Sequence, residues 1–225
     1  DNTPPKTFVP VVVPISWTNI SPQILFSAQD NSSGIEHYEI QIDAEAFKKA
    51  LSPYTLPELD DGQHNITVRA FDLAGNIQDG VATVFIDHTT PINLSIALYP
   101  AGWTNSSPNL SFYASDNTSN IDHFEMCIND GEFRYQTSPI RLTNLIEGAN
   151  TIRIRAFDEA GNYLEGQVQA MVDRSLPETF IPSSNYSNWT RFSPELSFST
   201  NDRISGVDHY EVKIDDDPFV KRASP

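Results

Sequence analysis

Two stretches with one pattern decide the fold: GQHNITVRAFDLAGN at residues 62–76 and GANTIRIRAFDEAGN at residues 148–162. In the first stretch, Ile66, Val68 and Ala70 alternate with residues that are mostly polar, which is the period of a β-strand with one buried face. The strand is followed by Asp-Leu-Ala-Gly-Asn, and Asp, Gly and Asn are typical of tight turns. Each stretch therefore predicts a strand that ends in a hairpin turn.

The two stretches are 86 residues apart, and other features recur at that spacing. Trp17, Trp103 and Trp189 are each separated by 86 positions. A fixed period without insertions indicates tandem copies of one structural unit. We expect Pro225 not to be the native end, because the last copy is 33 residues shorter than the others and half a sandwich leaves apolar strand faces exposed. The period predicts three repeats: 1–86, 87–172 and 173–225, the last incomplete.

Each repeat is rich in short alternating segments. Besides the two stretches above, the segments around Ile24, Tyr38 and Val84 alternate apolar with polar residues, as do their counterparts in the second repeat. No helical window is longer than a turn or two, and the best helix candidate is 44–51. About seven short strands per repeat, separated by turn signals, are typical of an antiparallel β-sandwich. The predicted fold is all-β, with tandem Ig-like antiparallel β-sandwich domains.

Three segments of the first repeat carry a resemblance to a known family of domains. They are GIEHYEIQID at 34–43, the stretch at 62–76, and the junction IDHTTP at 86–91. Over its whole length the chain resembles the prokaryotic (archaeal or bacterial) Ig-like or fibronectin-III-like repeats of large extracellular surface proteins. The resemblance implies a location outside the cell, at its surface. It implies no single activity, because such repeats occur in adhesins, surface layers, filaments and the appendages of secreted hydrolases.

The charge and the cysteine content exclude several classes of function. The chain has 14 Lys and Arg against 30 Asp and Glu, and its net charge of −16 repels nucleic acids and anionic lipids. It has no apolar run of the length that a membrane-spanning helix requires. The single cysteine, Cys127, excludes an intrachain disulfide, and its phase in the strand predicts an unpaired thiol on the surface. We therefore expect no nucleic-acid partner and no membrane insertion.

The sequence contains no motif of a catalytic site. His37 and Glu39, the best acid and base candidates, recur in every repeat, whereas an enzyme does not need one active site in each copy. Nucleophile-elbow, zinc-protease and phosphate-loop patterns are absent. We expect the protein not to be an enzyme. The tryptophans either bind sugar or cover the edge of each sandwich, and their three equivalent positions favour the second role.

Acidic and amide side chains are placed to meet at the junctions between repeats. In an Ig-like sandwich, the entering linker and two of the loops lie at the same end of the domain. Hard cations such as calcium take six to eight oxygen ligands from carboxylates, amides and backbone carbonyls. The alternative is that these residues only form turns. The calcium hypothesis involves ten residues: Asp1, Asp30, Asp72, Asn76, Asp87, Asp116, Asp158, Asn162, Asp173 and Asp202.

Asn-x-Ser/Thr sequons, the acceptor motif for N-linked glycans, are more frequent than composition predicts. With 17 Asn and 38 Ser or Thr among 225 residues, roughly three sequons are expected by chance, and nine are present. A proline directly after the motif weakens two of them, Asn19 and Asn105, as acceptors. The alternative is a surface rich in Ser, Thr and Asn, in which sequons arise from composition. The nine predicted acceptors are Asn19, Asn31, Asn65, Asn93, Asn105, Asn109, Asn117, Asn185 and Asn188.

The residues and the resemblance together indicate a structural role. We expect a non-catalytic segment of a surface layer, a filament or an adhesin stalk, in which short proline-containing junctions at 87–91 and 173–177 keep the rod stiff. Its expected partners are neighbouring copies of itself or further repeats of the same protein. Sequons without disulfides favour an archaeal surface glycoprotein. The alternative is a set of polysaccharide-binding modules attached to a secreted hydrolase, which an exposed row of aromatic residues on one sheet would favour.

Overall fold

The computed structural model describes residues 1–223, which form β-strands joined by turns and loops. No helix occurs in that range, and the helix candidate at 44–51 is a turn followed by a short strand. The all-β prediction is therefore confirmed. Ser224 and Pro225, the end of the predicted third repeat, lie outside the described residues.

The first seven strands form a β-sandwich that we call the first unit. They are β1 (Val11–Val13), β2 (Gln23–Leu25), β3 (Ile35–Ile42), β4 (Lys48–Ala50), β5 (Tyr54–Thr55), β6 (Gly62–Asp72) and β7 (Ile77–Ile86). One antiparallel sheet has the order β1-β2-β5, and the other has the order β4-β3-β6-β7. Ile24 of the smaller sheet and Ile40, Ile66 and Val68 of the larger sheet are fully buried in one core. The alternation in 62–76 is thus the alternation between core and solvent.

The next eight strands form a second sandwich, the second unit. They are β8 (Ile92–Tyr99), β9 (Trp103–Thr104), β10 (Asn109–Ser115), β11 (Ile121–Ile128), β12 (Arg134–Tyr135), β13 (Ile140–Arg141), β14 (Gly148–Asp158) and β15 (Tyr163–Val172). The sheets have the orders β13-β10-β8 and β12-β11-β14-β15-β9. Only β9 is parallel to its neighbour β15. Leu110, Ile152 and Ile154 from the two sheets meet in one core.

The last four strands belong to a smaller assembly, the third unit. They are β16 (Ser183–Ser184), β17 (Leu196–Ser197), β18 (Tyr210–Val212) and β19 (Val220–Arg222), which form two two-stranded sheets. Phe198 is buried against Tyr210, with ring centroids 5.0 Å apart. Within residues 1–223, no sheet mixes strands of different units. The exact boundaries of the three repeats stay a prediction.

Residue pairing in the second unit follows that of the first at an offset of 86. β3 and β6 pair Ile35 with Asp72, and β11 and β14 pair Ile121 with Asp158. Both ladders have an irregularity directly after this pair, and such bulges interrupt regular pairing. The aspartate that precedes each hairpin turn therefore stands at the end of its sheet.

The prediction of a surface thiol at Cys127 is wrong. The residue is only 1% exposed. Its Sγ–H donates to the carbonyls of Gly131 at 3.0 Å and Asn129 at 3.4 Å, and Arg153 donates to Sγ at 3.4 Å. The turn after β11 and the Arg153 side chain cover this outward face of the strand, which alternation alone does not reveal. Cys127 is unpaired, as expected, but buried.

The tryptophan segments lie along the last long strand of each sandwich. Trp103 pairs in parallel with β15, and Thr18 forms an equivalent bridge with Ile86. These backbones cover the sheet edges, but the expectation that the tryptophan side chains close the edge of each sandwich is wrong for Trp103 and for the fully exposed Trp189. The rings do not enter the core, because Trp103 is 41% exposed and Trp17 packs on Phe85 with 5.2 Å between ring centroids.

Candidate metal centres at the junctions

Three aspartates meet where the second unit begins: Asp87, Asp116 and Asp158, which we call the Asp87 cluster. One carboxylate oxygen from each lies within 4.8 Å of those of the other two. Asp87 follows β7, Asp116 follows β10, and Asp158 ends β14. Asp87 is 0% exposed and Asp158 is 2% exposed. Carboxylates this close repel one another, and burial strengthens the repulsion because the local dielectric constant is low.

Each aspartate of the Asp87 cluster uses one oxygen to hold its own loop. Oδ1 of Asp158 accepts two backbone N–H groups of its turn at 2.8 and 2.9 Å, and Oδ1 of Asp116 accepts two at 2.7 and 3.0 Å. Oδ1 of Asp87 accepts the N–H and the hydroxyl of Thr89 at 2.9 and 2.6 Å. These contacts form the turns that the alternative hypothesis predicted. They account for one oxygen of each aspartate.

Two buried oxygen atoms at this cluster have no hydrogen-bond partner in the described part of the chain. They are Asp87 Oδ2 and Ser119 Oγ, and both residues are fully buried. Such atoms are rare because leaving one unpaired costs about 1–3 kcal/mol, and more for a charged group. Ser119 was not among the residues predicted for this site. The signal was present, since Ser33 and Ser205 occupy the same place in the other repeats.

The electrostatics of Asp158 differ from those of its counterpart Asp72. Burial, and to a smaller extent the charge of Asp87, raise the pKa of Asp158 above its ordinary value of 3.8. Burial opposes the ionisation of Asp72 too, but hydrogen bonds from Asn76 and, more weakly, from Ser33 outweigh it and lower its pKa. The serine of the second unit at the position of Ser33 makes no such bond. Negative charge is therefore better compensated in the first unit.

The first unit has an equivalent group, the Asp1 cluster: Asp1, Asp30 and Asp72. One oxygen from each again lies within 4.8 Å of the other two. Asp1 is exposed, and Thr3 donates its N–H and its hydroxyl to Asp1 Oδ1. Asp30 Oδ1 accepts three backbone N–H groups at 2.8 to 3.0 Å, and these bonds, led by that of Gly34, lower the pKa of Asp30. This cluster is more solvated than the Asp87 cluster.

The third predicted group brings Asp173 and Asp202 together. The N–H of Ser205 donates to Asp173 Oδ2 at 3.1 Å and to Asp202 Oδ1 at 2.9 Å. Hydrogen bonds, led by that of the Ser175 hydroxyl, hold the pKa of Asp173 well below its usual range. The position 86 residues after Asp158 lies beyond residue 225, so this group comprises two aspartates.

The two asparagines of the calcium hypothesis present their amide nitrogen to the aspartates. Asn162 Nδ2 donates to Asp158 Oδ2 and to the carbonyl of Asp87, both at 2.9 Å. Asn76 Nδ2 likewise donates to Asp72 Oδ2 at 2.8 Å. In this orientation the asparagines position the aspartates, and the candidate ligand atoms are carboxylate oxygens.

The linker residue Asp87 is hydrogen-bonded to both units. Its N–H donates to the carbonyl of Thr18 at 3.0 Å, and its C=O accepts the amide of Asn162 at 2.9 Å. Asn162 Oδ1 in turn accepts Nδ2 of Asn19, which belongs to the first unit, at 2.9 Å. A short chain of hydrogen bonds thus joins the units on both sides of the linker.

Similar linker contacts recur at the next junction. His88 donates its N–H to Asp61 at 2.7 Å, and Arg174 donates its N–H to Glu147 at 2.9 Å. The N–H of Asp173 donates to a carbonyl of β9 at 3.0 Å. Both linkers are therefore tied to the unit that precedes them.

Most of the predicted glycan acceptors are accessible. Asn19 is half-buried, and the atom that would carry a sugar, its Nδ2, is the donor to Asn162. The other eight acceptors are exposed: Asn31, Asn65, Asn93, Asn105, Asn109, Asn117, Asn185 and Asn188.

A row of aromatic rings crosses the larger sheet of the second unit. Tyr135, His123, Phe157 and Tyr163 lie on the adjacent strands β12, β11, β14 and β15, with successive ring centroids 4.2, 4.6 and 5.2 Å apart. The two tyrosines at its ends are exposed. None of the nine predicted glycan acceptors lies on a strand of this sheet. The first unit has only the central pair, because its end positions are Lys49 and Ile77.

A groove of about 720 Å³ opens beside the end of this row. Tyr135 and His123 line it together with polar side chains, among them Asp122, Gln136 and Ser138. Smaller grooves occupy the corresponding places in the other two units. Aromatic side chains with a few polar groups beside them are typical of the lining of small-molecule sites.

Several solved structures are similar to the chain. The fibronectin(III)-like modules of CbhA from Clostridium thermocellum are 16% identical, with 73% of this chain and 94% of that chain covered and a TM-score of 0.47. A tetra-tandem repeat from the extending region of a large adhesion protein is 19% identical, with 81% and 53% covered and a TM-score of 0.36. The Bacteroides ovatus mixed-linkage glucan utilisation locus protein SGBP-B, solved with a heptasaccharide, is 13% identical, with 75% and 48% covered and a TM-score of 0.25. The chain spans about half the length of the last two.

No protein-family model matches the chain, and no curated protein matches it either. In residues 1–223 there is also no helix long and apolar enough to cross a membrane.

Proposed function

We propose that the chain is a non-catalytic structural segment of an extracellular cell-surface protein, in which tandem β-sandwiches form a stiff spacer. The observation that carries this proposal is the position of Asp87, whose N–H is bonded to the first unit and whose C=O is bonded to the second. A linker bonded on both sides loses the backbone freedom that would let the units move independently. Stiffness is the property that a spacer needs.

The best acid and base candidates fit a packing role. His37 and His123 stack on Phe71 and Phe157 with ring centroids 4.4 and 4.6 Å apart. The same stacking in two consecutive units supports a contribution to the sheet surface rather than a single active site. The stacking therefore supports the proposal that the protein is not an enzyme.

The surface chemistry supports a location outside the cell. Eight exposed sequons offer sites for glycans, which supports this location, and the single cysteine allows no intrachain disulfide. We propose that the partners are neighbouring copies of the chain or further repeats of the same protein, in a surface layer, a filament or an adhesin stalk. An archaeal surface glycoprotein fits this combination best.

Small-angle scattering of the full chain tests the stiff spacer. A Gly-Ser-Gly insertion between Ile86 and Asp87 separates the bond to Thr18 from the bond to Asn162, and should increase the spread of inter-unit distances. The same insertion between Thr143 and Asn144, in an exposed loop, is the control and should leave the scattering profile of the native chain unchanged. Equal flexibility in the native chain and in the junction insertion would refute the proposal.

Polysaccharide binding is the second candidate function, and the aromatic row of the second unit favours it. The row lies on a face without predicted glycan acceptors, so attached sugars would not cover it. Most ring faces in the row are stacked against each other, which leaves the outer faces of the two end tyrosines, and that of Tyr135 lies beside the groove as the candidate platform. Binding would then occur once per chain, in the second unit.

Affinity electrophoresis in gels that contain soluble polysaccharides tests this candidate. Retardation of the native chain that Tyr135→Ala abolishes would support it. Tyr113→Ala removes an equally exposed tyrosine from the opposite sheet and should have no effect. Equal retardation of both variants, or none of the native chain, would exclude a sugar site at the groove.

A further inference from the structure

We propose that the Asp87 cluster binds one divalent hard cation, of the calcium type, more tightly than the Asp1 cluster does, and that this ion fixes the junction between the first two units. The inference rests on the proposed spacer function and adds the element that regulates its stiffness.

The first argument is the unpaired oxygen of a fully buried aspartate. Asp87 Oδ2 has no hydrogen-bond donor in the described part of the chain, and Ser119 Oγ, in the loop held by Asp116, has no partner either. An acidic cluster alone can consist only of turns, and the Oδ1 atoms of these aspartates do form turns. Turn chemistry leaves Asp87 Oδ2 unexplained. A cation would satisfy it and would offset the repulsion among the three carboxylates.

The second argument is the absence of another positive charge. Within residues 1–223, no Lys, Arg or His forms an ion pair with Asp87, Asp116 or Asp158. Surface carboxylates usually have water to stabilise them, but two of these three are buried. No side chain in this range supplies the compensating charge, so a bound cation or a proton has to remove the repulsion.

The third argument is the kind of ligand atom. The cluster offers carboxylate oxygens, and it contains no His or Cys. Oxygen ligands select hard cations such as calcium, whereas zinc and copper sites use imidazole or thiolate.

The fourth argument is the contrast with the first unit. In the Asp1 cluster, Asp1 is exposed to solvent, and Asp30 Oδ1 accepts three backbone N–H groups and, at 3.5 Å, the hydroxyl of Ser33. Water and the protein's own donors already stabilise these carboxylates, so an ion gains less by binding there. The two clusters should therefore differ in affinity although their aspartates occupy equivalent places.

The ion would act on the junction through Asn162. This residue donates to Asp158 Oδ2 and to the carbonyl of Asp87, and it accepts the amide of Asn19 from the first unit. An ion that holds Asp87 and Asp158 together also holds Asn162 in place. The contact to Asn19 then transmits this order to the first unit.

Calcium titration of the chelator-treated full chain by calorimetry, with thermal unfolding in parallel, tests the site. We expect calcium to raise the melting temperature, and Asp158→Asn to weaken calcium affinity by roughly tenfold or more, because affinity depends on the number of charged ligands. Asp72→Asn, the matched change in the Asp1 cluster, should leave the calcium affinity of the Asp87 cluster unchanged. Asp116→Asn, in a partly exposed loop, serves as a second variant if Asp158→Asn does not fold.

Three results distinguish failure of the proposed calcium site from failure of the proposed spacer function. If calcium does not bind, or binds to Asp158→Asn and Asp116→Asn as tightly as to the native chain, the proposed calcium site is wrong. A stiff native chain would still support the spacer function in that case. The insertion between Ile86 and Asp87 should keep calcium binding but lose stiffness, because all three aspartates follow the insertion. Asn19→Ala should also keep binding but lose the calcium-dependent narrowing of inter-unit distances, whereas Asn65→Ala, at an exposed asparagine, should lose neither. Calcium-dependent narrowing that persists in Asn19→Ala overturns the coupling.

Discussion

Asn19 and Asn162 lie 143 residues apart in the chain, yet Asn19 Nδ2 donates a 2.9 Å hydrogen bond to Asn162 Oδ1. Asn162 also binds the linker carbonyl of Asp87. One asparagine of the second unit therefore contacts the first unit, the linker and the aspartate cluster. This arrangement links the three parts of the junction through one side chain.

The first prediction concerns glycosylation in the source organism. Asn19 Nδ2 is occupied and its residue is half-buried, so a sugar there would break the junction contact. We expect Asn19 to be unmodified while several of the exposed acceptors, such as Asn31, Asn65 and Asn117, carry glycans. Glycopeptide mass spectrometry of native protein measures this. High occupancy at Asn19 would contradict the junction contact, and a mass equal to that of the bare polypeptide would contradict glycosylation altogether.

The second prediction compares two glycines that are 86 residues apart. A Cβ on Gly80 would lie 2.8 Å from the backbone oxygen of Phe8, whereas one on Gly166 would lie 3.0 Å from the flexible end of Leu94. Gly80→Ala should lower the free energy of unfolding of the first unit by about 1–3 kcal/mol, because overpacking against backbone cannot relax easily. Gly166→Ala should cost less. Chemical denaturation of both variants tests this, and an equal loss in the two would contradict the difference in packing.

The third prediction concerns the pH dependence of the first unit. His64 contacts Asp43 at 2.7 Å through Nδ1 and the carbonyl of Asp60 at 2.8 Å through Nε2. Burial of the imidazole opposes its protonation, but these two bonds outweigh it and raise the pKa of His64 above its ordinary 6.5. The stabilisation is therefore fully present below 6.5 and is lost as pH rises through the raised pKa.

His64→Gln should lower the free energy of unfolding by about 1 kcal/mol near pH 5.5 and by less near pH 9. The effect at pH 5.5 is small because Asp43 is partly solvated. The second unit supplies an internal control, because Asn150 and Asn129 replace the charged pair there. Denaturation curves at the two pH values measure the effect. A loss that grows with pH would contradict the ion pair.

The fourth prediction concerns the thiol. Cys127 is buried beneath a turn and Arg153, so it should react with a thiol reagent only when the second unit opens. We expect labelling of the native chain to be slow and labelling in denaturant to be immediate and complete. Rapid labelling of the folded chain would show that the turn at 129–131 does not cover the sulfur.

Much of the fold could be predicted from the sequence because strand alternation is a local signal. Ile66, Val68 and Ala70 are buried as their spacing indicates. Cys127 could not be placed in this way, since a turn and an arginine from β14 cover its face. Burial on the outward side of a strand depends on long side chains from neighbouring strands, and a period of two contains no information about them.

The candidate metal site, like the fold, could be predicted from the sequence only in part. The linker and two loops lie at the same end of an Ig-like sandwich, which predicted that the aspartates meet, and the structure brings Asp87, Asp116 and Asp158 within 4.8 Å. The orientation of the Asn162 amide and the unpaired Asp87 Oδ2 could not be predicted. Both depend on small differences in the distances between atoms of loops that are far apart in the chain.

The most direct test of a junction that is hydrogen-bonded to both units is the distance between the first two units. Spin labels at Thr83→Cys on β7 and Ser111→Cys on β10, both exposed, allow double electron–electron resonance on the full chain while buried Cys127 stays unlabelled. We predict a single narrow distance distribution in the native chain, which the Gly-Ser-Gly insertion between Ile86 and Asp87 broadens. A broad distribution in the native chain, as wide as that of the insertion variant, would contradict a linker bonded to both units.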